Sequence, residues 1–387
     1  MVLFSKSQLY AYSRLRSIMK ILFVYKTYYP ETFGGVEEVL RVLMAGLSQR
    51  GHQCTLLVTT KQKKAYSRQE GAVTIHYCPA NIVISSCPFS LSFLQKFRQL
   101  SLEHDIINFH FPWPFADLVA FLVRTHKPYI VTYHSDIVKQ KYLKLFYTPL
   151  MHWFLSHASA IIATSEPYCQ SSPILCRYQR STQVIPLGLQ EGLEHSQFAA
   201  EEKHWQAKVG RDFFLFLGVL RYYKGLPYLL DAVENSTIPI VIAGCGPEES
   251  VLKAIVAQKN LKQVVFVGVV NEQDKAALFA LSKAVVIPAS ERSEAYCLSL
   301  VEGLRAGKPL ISTELGTGTS FVNQADETGL VVPAKDVAAL RKALLCLQQD
   351  DNLCAKFALS ARKRFLEHFG SDKMVETYER TFKDLLF

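Results

Sequence analysis

Short apolar runs recur along the chain, each followed by a polar or glycine-bearing turn and then a stretch with helical spacing. The runs at 20–25, 54–59, 73–77, 105–109, 129–132, 160–163 and 183–185 are too short for helices. Most are near-continuously apolar, as strands buried on both faces are. A second series begins at 213–218 and continues at 240–243, 264–268, 284–287 and 309–311. Helical patterns fill 35–50, 297–304, 335–349 and 352–387, the second of these stopped by the A-G-K-P at 306–309. Alternation of this kind predicts an α/β chain with two doubly wound parallel sheets. We place the first domain at 19–190, a polar hinge region at 191–212 and the second domain at 213–370. A C-terminal helix follows at 371–387.

Length agrees with that division, since 387 residues exceed what one core needs. No apolar run reaches the roughly 18 residues of a membrane span. The nine cysteines are odd in number and form no C-x-x-C, which points to reduced thiols in a cytoplasm rather than to disulfides or zinc. Charge changes the picture more. Residues 1–180 carry 20 Lys and Arg against 9 Asp and Glu, whereas 181–387 carry 23 against 25. A basic first half is drawn to anionic surfaces. No nucleic-acid motif is present, so anionic lipid is the expected partner. Two stretches could meet it. One is the extension 1–18, read either as an upstream addition to a natural start at Met19 or as an amphipathic segment. The other is 137–157, where Lys139, Lys141 and Lys144 mix with Tyr142, Phe146, Tyr147 and Trp153.

Ligands of doubly wound sheets lie beyond the carboxyl ends of strands, and candidate chemistry collects there. His110 and His134 each follow a strand of the first domain. A lone histidine is usually structural, but two at strand ends of one sheet point to function. Gly34 and Gly35 open a helix without forming G-x-G-x-x-G, so the dinucleotide fingerprint is absent. Arg221 and Lys224 stand where the strand 213–218 gives way to a helix and can converge on a phosphate. Gly268, Val269 and Val270 end another strand as a base contact. Glu294 in a loop and Glu302 in the following helix bracket a turn. Between them the N–H groups around Ala295, Tyr296, Cys297 and Leu298 form a helix N-terminus suited to an anion. Hydroxyl-seeking carboxylates around a phosphate-seeking helix end suit a sugar nucleotide. The chain has no D-x-D, so neither metal nor cofactor is expected.

Read whole, S-E-A-Y-C-L-S-L-V-E-G-L-R-A-G-K-P-L-I at 293–311 resembles the signature of family 4 retaining glycosyltransferases. The resemblance runs from 19 to about 387. It implies a GT-B fold, with two Rossmann-like domains and the active site in the cleft between them. The last helix then crosses back to the first domain. It further implies that Glu294 contacts donor-sugar hydroxyls and Glu302 the ribose diol. Gly218 to Gly225 is similar to the family's G-R-L-x-x-x-K-G donor-phosphate motif, with Lys224 and Arg221 as its bases. Gly244 and Gly246 resemble a nucleotide-pocket loop. The resemblance also implies that the Gly34–Gly35 loop with Glu37 faces donor phosphates and acceptor, that Tyr29 and His134 join the acceptor side, and that His110 lies near the reacting centre. The chain departs from the pattern at Val219, at Cys297, where glycine is usual, and at Asn108, where the family has the first histidine of a pair.

The wording at 25–37, 220–226, 293–303 and 316–323 looks most like bacterial mannosyl- or deoxyhexosyltransferases of surface polysaccharide synthesis. The expectation is a GDP-sugar donor, a glycan or lipid-linked acceptor, and a cytoplasmic protein peripheral on the inner face of the inner membrane. A UDP-hexose enzyme, a GT-B epimerase or phosphorylase, and a non-catalytic nucleotide-sugar binder are the alternatives.

Overall fold

The computed structural model describes residues 18–84, 86–137 and 141–387, with the side chains of 141–145 excepted. The chain forms two compact units. The first holds residues up to Thr164, Pro173–Ile185 and Ser371–Phe387; the second holds Ser165–Ser172 and Pro186–Gly370. The stretch expected as a hinge, 191–212, contains the helix Ala199–Val209, which lies within the second unit. It is held there by Trp205, whose indole N–H donates to Asp274 at 2.8 Å.

The strands of the first unit are β1 (Lys20–Val24), β2 (Gln53–Thr60), β3 (Tyr66–Glu70), β4 (Val73–Pro79), β7 (Ile106–Phe111), β8 (Tyr129–Tyr133), β9 (Ala160–Ala163) and β10 (Thr182–Val184). They form one sheet in the order β10-β9-β8-β7-β1-β2-β4-β3. All pairings are parallel except β3 with β4, which is antiparallel at the edge. Sequence reading missed β3 because YSRQE has no apolar period and lies open to solvent. It also missed the separate hairpin of β5 (Ile82–Ile84) and β6 (Cys87–Phe89). After β1 the chain builds outward through β2 and β4, then returns to lay β7 on the other side of β1. That reversal makes the carboxyl ends of β1 and β7 the switch point of the sheet. The final helix, Ser371–Leu386, completes this unit. Tyr378 and Phe382 are buried, and Phe382 packs edge-on against Phe23 of β1.

The second unit has six strands: β11 (Phe213–Leu217), β12 (Ile240–Ala243), β13 (Val264–Gly268), β14 (Ser282–Ile287), β15 (Leu310–Glu314) and β16 (Gly329–Pro333). Their order is β13-β12-β11-β14-β15-β16, all parallel. Every residue of β11 is buried, as its F-F-L-F-L run requires. Here the switch point lies between β11 and β14. The helical pattern at 352–387 is in fact interrupted. Asp351–Arg364 runs into a wide turn at Phe365–Phe369, and Gly370 leaves the helical conformation before the last helix begins.

Candidate functional site

The second unit gathers its candidate residues at that switch point. The loop after β11 carries Gly218, Arg221 and Lys224; the loop after β14 carries Glu294. Lys224 Nζ lies 2.5 Å from Glu294 Oε2, and both side chains are about nine-tenths buried. Burial disfavours the ammonium, but the Glu294 carboxylate outweighs it and holds the Lys224 pKa above its ordinary value. A Cβ placed on Gly218 would stand 3.7 Å from Lys224 Nζ and 3.8 Å from Ser299 Oγ, so strand exit, cation and helix start share one corner. The neighbouring loop closes in as tightly. A Cβ on Gly244 would fall 2.0 Å from the Gly218 carbonyl oxygen, at a φ of 123°, and only glycine fits. Gly246 is packed against the Leu220 backbone in the same way.

The helix Leu298–Arg305 begins beside this pair. Its N-cap, Cys297, takes a left-handed conformation at φ 69°, ψ 85°. The family's usual glycine is thus replaced by a cysteine that keeps the backbone glycine favours. Its thiol is buried and pushed up to about 12, by burial first and by Glu294 next, so it stays protonated. Three neighbours clamp the segment. The Gly318 amide donates to the Ala295 carbonyl at 2.7 Å, the Thr317 hydroxyl to the Glu294 carbonyl at 2.8 Å, and the Tyr296 phenol to the Leu187 carbonyl at 3.0 Å. Ala295 and the Tyr296 side chain are therefore committed to packing. The first turn of the helix is closed by the Leu300 amide, which donates to the Cys297 carbonyl at 3.1 Å, and the Ser299 and Leu300 amides also donate to the Cys297 sulfur.

Other expected residues stand further out. Arg221 shares a tight turn with Lys224, its carbonyl accepting from the Lys224 amide at 3.0 Å, but its side chain is exposed. Val269, past the end of β13, is also exposed. Glu302 is held by Lys275, whose Nζ is 2.5 Å from Oε1 and 2.9 Å from Glu272. Sequence reading missed Lys275; its only signal was the helical spacing from Glu272. Arg292 was missed as well, although it sits two residues before Glu294. It donates to the Leu315 carbonyl at 2.9 Å and to Ser171 Oγ at 3.0 Å, tying the Ser165–Ser172 segment to the loop that clamps Ala295.

In the first unit, His110 near the end of β7 and His134 just past β8 form one pair. His110 Nδ1 and His134 Nε2 are 2.8 Å apart. His110 is buried and His134 half-buried. Burial, then His134, takes His110 well below its ordinary pKa; burial, then Lys26, takes His134 down to about 3. Two neutral imidazoles share that proton. His110 Nε2 is buried without a hydrogen-bond partner among the described residues. His134, expected on the acceptor side, lies against His110 with its Nε2 toward that ring. Asn108 accepts from Thr132 at 2.9 Å, and Thr132 meets the Tyr378 hydroxyl at 3.1 Å. Glu37 is buried under the Gly34–Gly35 turn and accepts from Thr32 at 2.6 Å. Tyr29 donates to Glu38 at 3.3 Å, with its ring edge-on to Tyr28 and Phe33.

Of the basic aromatic stretch 137–157, Lys139 and the side chains of Lys141, Tyr142 and Lys144 lie outside the described residues, as do residues 1–17. Tyr147 turns inward to donate to buried Asp117, Trp153 packs on Phe121, and Phe146 is exposed. No helix among the described residues is long and apolar enough to cross a membrane. Among those residues no cluster of three or more His, Cys, Asp or Glu is placed to hold a metal.

Two parallel-sheet α/β units of this kind make the GT-B fold, and the solved structures agree. The chain superposes on sucrose-phosphate synthase from Thermosynechococcus elongatus with a TM-score of 0.79 at 17% identity, covering 95% of this chain and 99% of that one. It superposes on Anabaena HepE in complex with UDP with a TM-score of 0.73 at 18% identity, covering 95% and 100%. Residues 33–189 match the family described as Glycosyltransferase Family 4, and 197–364 match Glycosyl transferases group 1. The chain is 43% identical to the Escherichia coli O-antigen chain mannosyltransferase C over 370 residues, 95% of this chain and 99% of that one. It is 42% identical to the Pseudomonas aeruginosa D-rhamnosyltransferase WbpZ over 351 residues, 91% and 92%. The chain belongs to glycosyltransferase family 4 and is a hexosyltransferase of bacterial polysaccharide synthesis.

Proposed function

We propose that the enzyme transfers mannose or a deoxyhexose from a GDP-sugar, with retention and without a metal, to a glycan or lipid-linked saccharide. In this reading it works in the cytoplasm on the inner face of the bacterial inner membrane. The two most informative relatives support the sugar class, being named for mannosyl and rhamnosyl transfer. The observation that carries the mechanism is the buried Lys224–Glu294 pair beside the start of the helix Leu298–Arg305. The hard step is departure of a nucleoside diphosphate, whose growing charge must be met in place. Lys224, with Arg221 further out and the positive end of that helix, supplies positive potential. Glu294 gives up its hold on Lys224 in part and accepts from donor-sugar hydroxyls; Glu302 takes the ribose diol.

The acceptor hydroxyl attacks the anomeric carbon on the face from which the diphosphate leaves. The sugar–diphosphate C–O bond breaks, its electron pair stays on the phosphate oxygen, and that oxygen takes the acceptor's proton. No protein nucleophile is needed. His110 offers Nε2 to a substrate hydroxyl, and His134 fixes its tautomer by holding Nδ1. Glu37 and Tyr29 belong to the acceptor side. A UDP-hexose donor is the second reading, favoured by HepE having been solved with UDP-glucose.

Thermal shift with GDP-mannose, GDP-rhamnose and UDP-glucose tests the donor, and a larger shift with UDP-glucose overturns the first reading. Transfer that survives excess chelator and yields the donor's anomeric configuration is expected. Lys224→Ala and Glu294→Ala should each abolish transfer while the chain stays folded.

A further inference from the structure

The β5–β6 hairpin has a surface that the transfer reaction does not use. Ile82, Val83 and Ile84 are consecutive in β5 and are 61%, 61% and 52% exposed. Consecutive exposure means that both faces of the strand are open, unlike an ordinary edge strand with one apolar face inward. Leu91, at the start of the helix Leu91–Glu103, is exposed as well. The hairpin is nevertheless firmly seated. Pro88 of β6 is buried and accepts the Trp113 indole N–H at 3.1 Å, and Phe89 packs on Phe115. The greasy strand is held out on a fixed base.

Beside it stand three cations. β2 and β4 are parallel neighbours that end together at Thr60 and Pro79, and the Ala80 amide donates to the Thr60 carbonyl at 2.9 Å. The loop after β2 and the hairpin after β4 therefore leave the sheet side by side. In that loop Lys61, Lys63 and Lys64 are all exposed. Glu31, the carboxylate at the start of this loop, is engaged by the Thr60 hydroxyl and the Lys61 amide. Both features sit at the carboxyl end of the sheet, the same end as His110 and the Gly34–Gly35 turn.

We infer that the β5–β6 hairpin and the 61–64 loop form the face by which the enzyme docks on an anionic bilayer. Ile82, Val83, Ile84 and Leu91 enter the headgroup–acyl boundary, and the three lysines meet lipid phosphates. Charge favours a bilayer over a second copy of the chain, because two-fold pairing along the β5 edge would bring one set of lysines toward the other. The inference deepens the membrane part of the proposed function and does not depend on which nucleotide sugar is used. It moves the contact away from 137–157.

The test is co-sedimentation of the full chain with vesicles of equal parts phosphatidylglycerol and phosphatidylethanolamine, against pure phosphatidylcholine. Wild type should bind the anionic vesicles only. Ile82→Asp with Ile84→Asp should lower the partition coefficient at least tenfold. Replacing Lys61, Lys63 and Lys64 by serine should lower it roughly a hundredfold, at about fivefold per lysine. Leu359→Asp, at an exposed leucine of the second unit, should bind as wild type does. Melting temperature and the shift given by GDP-mannose should be unchanged in all three. Failure of GDP-mannose to shift any protein would sink the donor reading and leave the vesicle result standing. Wild type that ignores anionic vesicles overturns the inference, as do hairpin variants that bind undiminished. So does a wild-type dimer that the isoleucine pair dissociates without changing vesicle binding.

Discussion

The Lys224–Glu294 pair permits a prediction with a magnitude. At 2.5 Å its Coulomb attraction is roughly 7 kcal/mol at an effective dielectric of about 20. Taking two ions out of water offsets most of that, but removing one partner strands the other and costs about 3–5 kcal/mol. Lys224→Met and Glu294→Gln should each destabilise the second unit by that amount, or about 6–20 °C at roughly 2–4 °C per kcal/mol. The double variant should lose much less than the two singles combined, because no charge is left unpaired. Trp205 is the second unit's one tryptophan, so its fluorescence in a Trp113→Phe, Trp153→Phe background reports that unit alone. Singles that cost under about 1 kcal/mol and simply add would refute the reasoning. The pair would then be solvated, and Lys224 would have no stored attraction to redirect toward a phosphate.

The histidine pair makes a pH prediction. His134 titrates near 3 in the folded chain against 6.5 for a free imidazole, so the unfolded chain binds more protons between those values. Stability is complete above about pH 6.5 and falls as pH drops toward 3, by at most about 5 kcal/mol from this group. His134→Phe should flatten that fall in a series of melts, and an identical slope would contradict the assignment. Gly225→Ala places a Cβ 1.9 Å from the Pro288 carbonyl oxygen at a φ of 69°, and should cost at least about 2 kcal/mol in urea unfolding. Glu302→Gln should raise the donor KM about tenfold with little change in kcat; a kcat loss alone would argue against ribose binding.

Fold class was legible because parallel strands buried on both faces appear as apolar runs, and β1, β7, β11 and β12 are such runs. The elements that escaped are the ones whose apolar pattern is broken or whose partner is remote. β3 is polar, β5 is apolar yet exposed, and the Ser165–Ser172 segment joins the second unit through Arg292, 121 residues away. Lys224 and Glu294 were legible from motif and spacing, but their contact was not, since they stand 70 positions apart with three strands between them. His134 shows the same limit. Its position past a strand end suggested a ligand contact, and only three-dimensional packing reveals that it faces another histidine.

The last seventeen residues belong to the first unit, although the entire second unit is synthesised before them. They supply Val375 against Gly46, Tyr378 against Thr132, and Glu379 to Arg50 and His52. On the ribosome the opening half must therefore wait, its groove uncovered, until translation has finished. A nonsense codon near position 370 would leave the second unit entire and cripple the half made first.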